Sequence, residues 1–275
     1  MRGTWQAAGC VIVGALVWHC SASLSASDAL PPPELEAGTS TVSNIVTFAM
    51  DSISLGDGRN PNTGVRAWET LGYDLDGKVT DETSTDVCTL QPTAALTSQV
   101  DGLDGRDDSF GSNIVPIVET AGAVPDLTAT ETQTIQDGQF TLQIQIAGLS
   151  DDSGQTADGL VAQVFASDAF GGQPQFDSAT DWPVLPESLT DATTIAGGAT
   201  ARFTDAYVTD GTFVAGTNEH VVVPLHANIN GFVFTLPIHE AILAFDHVAP
   251  DQAANGMLAG VIDPDLTPVT EPVEA

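Results

Sequence analysis

The chain has 275 residues, of which 37 are acidic and only six are lysine or arginine, so its formal net charge is −31. This charge excludes a nucleic-acid-binding protein that works by neutralising phosphates, and it disfavours docking on an anionic membrane surface. Such an excess of acids is typical of proteins in a salty medium, where hydrated carboxylates keep the surface soluble and salt screens their repulsion.

The first 27 residues have the three parts of a secretory signal peptide. Arg2 gives a positive start, residues 7–18 form an uncharged and mostly apolar run, and residues 21–27 are mostly small residues that suit cleavage. The apolar run is short for a membrane span, and no later stretch approaches ~18 unbroken apolar residues. We therefore predict an exported protein, which is periplasmic, anchored to the outer membrane or secreted, with no transmembrane span in its mature part.

Cys20 raises the alternative of a lipid anchor. A bacterial lipoprotein signal has a small residue directly before the modified cysteine, but His19 stands there. This departure favours a soluble form, with Cys20 as the candidate lipidation residue of the alternative. Because Cys10 and Cys20 would leave with the signal, Cys88 has no partner for a disulfide within the mature chain, and we expect a buried, inert thiol.

The region that follows the signal is poor in regular elements. Residues 28–44 are polar and proline-rich, which predicts a linker. Residues 45–135 form a loop-rich acidic region that opens with one or two strands, at residues 45–50 and 53–55. A short helical turn is expected at residues 67–71. Residues 114–118 are consistent with either a helix start or a strand. Part of 92–100 is a candidate short helix, and 125–134 is polar and turn-like.

A clear β pattern begins after residue 135. Apolar residues alternate with polar ones from Phe140 to Ile146, which indicates a half-buried strand. Further strands are predicted at residues 159–165, 199–208, 211–215, 219–226, 232–238, 241–248 and 257–262. Residues 228–231 (Asn-Ile-Asn-Gly) are a strong hairpin signal. The fold class is therefore mainly β, an antiparallel sandwich or jelly roll over residues 136–263, with a disordered tail at 264–275.

Two aspartate- and glycine-rich loops lie in the acidic region, within residues 72–81 and 101–111. Glycine lets the backbone curl so that short aspartate side chains converge, and calcium takes six to eight oxygen ligands. With Gly77 as the turn glycine, an EF-hand register lacks its first and last acidic ligands, so the loop is not a regular EF-hand. The candidate calcium ligands are Asp74, Asp76, Asp81, Asp101, Asp104, Asp107 and Asp108. The alternative is a pair of solvated acidic turns in a protein that is acidic throughout.

Other candidate sites have weaker support. His220 and His226 share a face if they lie on one strand, so a zinc site is conceivable, although scattered histidines are more often structural. Trp182 lies in a long Gly/Pro-rich loop, where an aromatic ring would stack on a sugar or would anchor the loop. Nucleophile elbows, phosphate loops and HExxH motifs are absent from the sequence, so an enzyme is less expected than a non-enzyme.

Several motifs together resemble a family. They include Gly72-Tyr73-Asp74-Leu75-Asp76-Gly77-Lys78 and the segment of residues 101–111, DGLDGRDDSFG, with further matches at residues 48–50, 67–68, 88, 138–149, 206–208 and 255–260. In this combination the chain resembles uncharacterised exported, lipoprotein-like proteins of myxobacteria. The resemblance implies export but no activity, and the departure at His19 sets the chain apart from its lipid-anchored relatives.

These observations favour an exported, acidic envelope or secreted protein that binds a partner or has a structural role, with structural calcium in its Asp/Gly loops. A cell-surface glycan or a protein is the expected kind of partner. The alternative is a jelly-roll protein that binds or cleaves carbohydrate. A sugar-binding module requires an exposed aromatic platform near Trp182, and an enzyme requires a cleft with two carboxylates at a definite separation.

Overall fold

The computed structural model describes residues 5–12, 32–36, 38–60, 62–85, 87, 100–122, 124, 126–229 and 232–262. The strands are β1 Trp5–Ile12, β2 Ile45–Ser52, β3 Leu142–Ala147, β4 Ala157–Ala166, β5 Ala201–Thr209, β6 Thr212–Ala215, β7 Val223–Ile229, β8 Phe232–Ala249 and β9 Gln252–Ile262. The prediction of a mainly β, antiparallel fold is confirmed, because every pairing among strands β2 to β9 is antiparallel.

These strands form one sheet in the order β6-β5-β4-β3-β2-β1-β9-β8-β7. An additional pairing of β6 with β8 closes eight of the strands into a ring and leaves β7 beside the first half of β8. The sheet is consistent with the predicted sandwich-like packing, in which the inner face packs on itself. The finer prediction of jelly-roll connectivity stays a prediction.

One hydrophobic core fills the curved sheet and joins the two regions that the sequence suggested. Phe48 of β2 is 1% exposed and lies edge-on to Phe245 of β8, with ring centroids 5.4 Å apart. Phe245 stacks in turn on Phe213 of β6 at 4.8 Å. Strand β2 pairs with β3 in the middle of the sheet, so the N-terminal acidic region shares the core of the C-terminal strands.

Helix α2 at Leu127–Gln136 packs against β2, and helix α1 at Val115–Gly122 precedes it and contacts it. The prediction of a turn-like segment at 125–134 is wrong, because Asp126 caps α2 by accepting a hydrogen bond from Ala129 N. Buried Leu127 and Ile135 face the core on the helix. A single turn of 3-10 helix at Ala67–Thr70 confirms the expected helical turn. Within the described part of the chain, no helix has the length and apolarity needed to cross a membrane.

Strand β8 is a single 18-residue strand where the sequence predicts two. Glu240 interrupts the alternation with a φ of 51°, and the pairing register with β9 shifts between His239 and Ile242. This bulge keeps the strand continuous while its two halves pair with β7 and β6. Asn255, which was expected to precede the last strand, lies inside β9 with a φ of 53°.

Part of the predicted linker contacts the sheet. Thr39 forms a parallel bridge with Asp158 of β4, and Ser40 Oγ donates to Gly148 O at 2.7 Å. The hydroxyl of Tyr207 donates to Pro33 O at 2.8 Å. Residues 38–40 therefore pack along the β4 side of the sheet and do not form a free tether.

Candidate metal centre

The two acidic loops meet through backbone hydrogen bonds. Asp101 N donates to Thr80 O at 3.0 Å, and Asp107 N donates to Tyr73 O at 2.9 Å. The Arg106 guanidinium donates to the carbonyl oxygen of Gly72 at 2.8 Å, which joins the loops at a third point. The two loops therefore lie against each other, and aspartates from both can approach one site.

Three carboxylates converge where these loops meet. One carboxylate oxygen each of Asp74, Asp76 and Asp107 lies within 4.8 Å of the others, and all three residues are half-buried. Oxygen ligands of one calcium ion lie 2.3–2.6 Å from it, so two of them are at most about 5 Å apart. The three oxygens therefore lie within the span of one hard cation.

Backbone amides fix the orientation of each carboxylate. Asp107 Oδ2 accepts hydrogen bonds from Leu75 N at 2.6 Å and Asp76 N at 3.2 Å, although Asp107 lies 31 residues from Asp76 in the chain. Asp74 Oδ1 accepts from Gly77 N at 2.7 Å, and Asp76 Oδ1 accepts from Lys78 N at 2.9 Å. These hydrogen bonds hold the three carboxylates in place where the loops meet.

Gly105 leaves space beside these ligands. It has a φ of 80°, and a Cβ built on it would lie 2.8 Å from Asp74 Oδ2 and 2.8 Å from the carbonyl oxygen of Lys78. Only glycine combines this backbone conformation with so close an approach. The glycine spacing of the sequence indicates a tight turn here, whereas the close approach of the Lys78 carbonyl oxygen to Gly105 carries no sequence signal.

The site is electrostatically strained without a cation. Burial raises the pKa of Asp107 to about 7, and the negative charges of Asp76 and Asp101 add to the shift. Burial also raises the pKa of Asp101 to about 6, with contributions from Asp76 and Asp74. The pKa of Asp74 is likewise raised, first by burial. A bound divalent cation would lower these pKa values, because it favours the ionised carboxylates.

The seven predicted ligands divide into different environments. Asp101 lies close enough to Asp74 and Asp76 to raise its pKa, and its Oδ2 accepts from Thr80 N at 2.5 Å, so it is a candidate fourth carboxylate. Exposed Asp81 accepts from Thr83 instead, and Asp104 is exposed in a left-handed turn with a φ of 59°. Neither of these two belongs to the three-carboxylate cluster.

Asp108 points into the protein and away from its neighbour Asp107. It is 3% exposed, and its Oδ1 accepts from Gly111 N at 2.8 Å. Its Oδ2 lies beside Gly56 and Gly111. Burial raises the pKa of Asp108 to about 7. This residue holds the start of the helical segment at Phe110–Ile114 and is not part of the metal cluster.

The sheet supports the acidic loops from one side. Tyr73 packs against Tyr207, Val214 and Ala244, which lie on β5, β6 and β8. Burial raises the pKa of Tyr73 to about 12, so its hydroxyl stays protonated. Because Tyr73 directly precedes Asp74, this packing ties the position of the first ligand to the outer side of the sheet.

The other predicted sites receive no support from the side chains that the structure describes. Trp182 is 4% exposed and packs between Phe170 and Phe176, so it anchors its loop and offers no exposed platform. His220 is exposed and pairs with Glu240 at 2.5 Å. Among the side chains that the structure describes, the cluster of Asp74, Asp76 and Asp107 is the one set of three potential metal ligands. The side chain of His226 lies outside them, so the zinc site stays a prediction.

Two cysteine predictions lie outside the described residues, namely lipidation at Cys20 and the state of Cys88.

An open groove lined by Thr200, Arg202, His220, Val221, Val222 and Pro224 contains no carboxylate in its lining. It therefore lacks the acid pair that a glycoside hydrolase requires.

Comparison with family models, with curated proteins and with solved structures finds no match to this chain. The resemblance to exported myxobacterial proteins stays a prediction from the motifs. The function of the chain is therefore inferred from the candidate metal site itself.

Proposed function

We propose that the chain is an exported, acidic binding or structural protein of the cell envelope or the medium, in which one calcium ion joins the two acidic loops. The observation that carries this proposal is the convergence of Asp74, Asp76 and Asp107, whose oxygens lie within 4.8 Å of one another on loops 31 residues apart. The ion would crosslink two loops that backbone hydrogen bonds already join.

Calcium suits the donor set better than magnesium or zinc. The ligands are all oxygens, which excludes a preference for zinc over harder cations. Calcium accepts six to eight oxygens in flexible geometry, so it can combine three carboxylates with Asp101, the Lys78 carbonyl and water. Magnesium requires near-octahedral geometry and dehydrates reluctantly, so it should stabilise the protein less.

Thermal unfolding of the metal-free protein tests the calcium site. Free calcium at ~100-fold above its Kd should stabilise the fold by about 2.7 kcal/mol, because the ion binds the folded state only. Magnesium should give a smaller shift in Tm. Sodium chloride at matched ionic strength is the control for screening of the −31 charge.

Two single variants make the test specific. Asp107→Asn removes a clustered carboxylate while it keeps the side-chain shape, so the calcium-dependent shift should fall sharply. Asp104→Asn is the matched control, because Asp104 is exposed outside the cluster and its φ of 59° suits asparagine. Equal shifts with calcium, magnesium and sodium in all three proteins would leave only a pair of solvated acidic turns.

Export is tested separately by intact-mass analysis of the protein from the envelope and the medium. Cleavage should remove about the first 20–27 residues. A mass that still includes them rejects the signal peptide, and an added diacylglycerol at Cys20 would establish the lipid-anchored form. The carbohydrate alternative receives no support from buried Trp182 or from the groove near Arg202.

A further inference from the structure

Strand β1 occupies an unusual place in the sheet. It pairs in parallel with β2 on one side and with β9 on the other, whereas the other pairings between named strands are antiparallel. Its residues, Trp5–Ile12, lie inside the predicted signal peptide, which cleavage would remove. Removal of residues 1–27 would therefore take one strand out of the closed ring.

We propose that the mature protein presents the slot between β2 and β9 as a strand-acceptor site, which takes an extended, uncharged segment of another protein in the parallel sense. The proposal rests on the proposed export and on cleavage of the signal. Its physical basis is the pairing capacity of the two edges, the spacing of the walls and the chemistry of the segment that now fills the slot.

Both edges lose their hydrogen-bonding partners when β1 is removed. Strand β2 pairs with β1 from Thr47 to Ser52, and β9 pairs with it from Ala253 to Leu258. Two facing rows of backbone N–H and C=O groups would remain unpaired. Such edges are templates for pairing with an added strand, and strand addition is a common mode of peptide recognition.

The core holds the walls of the slot apart. Neighbouring strands lie about 4.8 Å apart, so β2 and β9 are separated by roughly 10 Å across β1. Phe48 of β2 contacts Phe245 of β8, and Phe245 stacks on Phe213 of β6. A ring with one strand fewer encloses a narrower interior, which could not hold these rings in place. Direct pairing of β2 with β9 is therefore disfavoured, and the slot stays open to an added strand.

The walls and the present occupant define the chemistry of the partner. Phe48 and Met50 of β2 and Leu258 of β9 are at most 1% exposed, so a charge in the slot would be buried without a partner. The segment of residues 5–12, WQAAGCVI, has no charge and has small residues in the middle. A second copy of the mature protein has lost residues 5–12 as well and cannot supply this strand. The occupant is therefore a segment of a different protein with the same uncharged pattern.

The test uses the mature protein purified from an exporting host, with its mass confirmed. The probe is a synthetic peptide with the sequence of residues 5–12, the substitution C10S and added terminal lysines for solubility. We expect 1:1 binding by calorimetry, a rise in Tm, and at least tenfold slower amide hydrogen exchange in β2 and β9. The full chain, produced without export and still containing residues 1–27, should not bind the peptide.

A peptide with the additional substitution A8P is the control, because residue 8 pairs with both Met50 and Ala253 and proline removes its N–H donor. Equal binding of both peptides, or absence of binding to the mature protein, would overturn the proposal. Protection of β2 and β9 by self-association of the mature protein would also overturn it. If residues 1–27 are retained on the exported protein, the slot and the cleavage are both refuted, whereas the calcium site is unaffected.

Discussion

The substitution Asp107→Asn should stabilise the metal-free protein at alkaline pH and destabilise it, relative to wild type, when calcium is present. Burial raises the pKa of Asp107 from its ordinary value of 3.8 to about 7. A raised folded-state pKa means that the folded state binds more protons between these two values. The free energy of unfolding that this group contributes is therefore complete below pH 3.8 and is lost as the pH rises through about 7.

The magnitude follows from the size of the shift. A change from 3.8 to about 7 corresponds to about 4 kcal/mol lost above pH 7 as an upper limit. We expect Asp107→Asn to recover roughly half of this free energy of unfolding, because the side chain is partly exposed and its neighbours can take up protons instead. The metal-free variant should thus be about 2 kcal/mol more stable than wild type near pH 8.5, and the difference should shrink toward pH 5.

Calcium should invert this order. At ~1,000-fold above its Kd it adds about 4.1 kcal/mol to wild type, while the variant loses most of that gain. Urea unfolding from pH 5 to 9, with a chelator and then with calcium, measures both effects. A variant that is less stable than wild type by the same amount at every pH and with either addition would refute the reasoning, because that result indicates a purely structural role for Asp107.

Further expectations concern single positions. Asp108→Asn should also raise the stability of the metal-free protein above pH 7, because burial raises the pKa of Asp108 to about 7, yet its calcium-dependent shift in Tm should equal that of wild type. Gly105→Ala should destabilise the fold by about 1–3 kcal/mol and weaken calcium affinity, since its φ is 80° and the new Cβ would lie 2.8 Å from Asp74 Oδ2; calorimetry and urea unfolding check the two effects. Phe48→Ala should cost about 3–5 kcal/mol in urea unfolding by opening a cavity beside Phe245, and a loss below 1 kcal/mol would contradict the core packing described here.

The sequence pattern predicted the strands whose two faces differ. In β3 the apolar residues Leu142, Ile144 and Ile146 alternate with polar ones, and all three are buried. Helix α2 escaped detection because its buried positions include Glu131 between Leu127 and Ile135, which hides the apolar stripe. The long strand β8 was divided in two because Pro237 and Glu240 interrupt its pattern, whereas a bulge keeps the strand continuous.

The candidate site shows a similar limit. The spacing of aspartates and glycines indicated two loops that could bind calcium, but it gave no means of choosing among the seven acids. Asp107 and its neighbour Asp108 point to opposite sides, one to the cluster and one to the core. The left-handed conformation at Asp104 turns that residue outward. These orientations depend on the tertiary contacts of the loops with each other and with the sheet.

Calorimetric titration of the metal-free protein with calcium at pH 7 in 0.15 M sodium chloride tests directly whether one calcium ion joins the two acidic loops. We expect one ion per chain and, from a comparison of two buffers, release of roughly half a proton at pH 7, because burial raises the pKa of Asp107 to about 7 and that of Asp101 to about 6. Asp107→Asn should abolish the saturable heat and Asp104→Asn should preserve it. Wild type without saturable heat, or an unchanged isotherm for Asp107→Asn, would contradict the account.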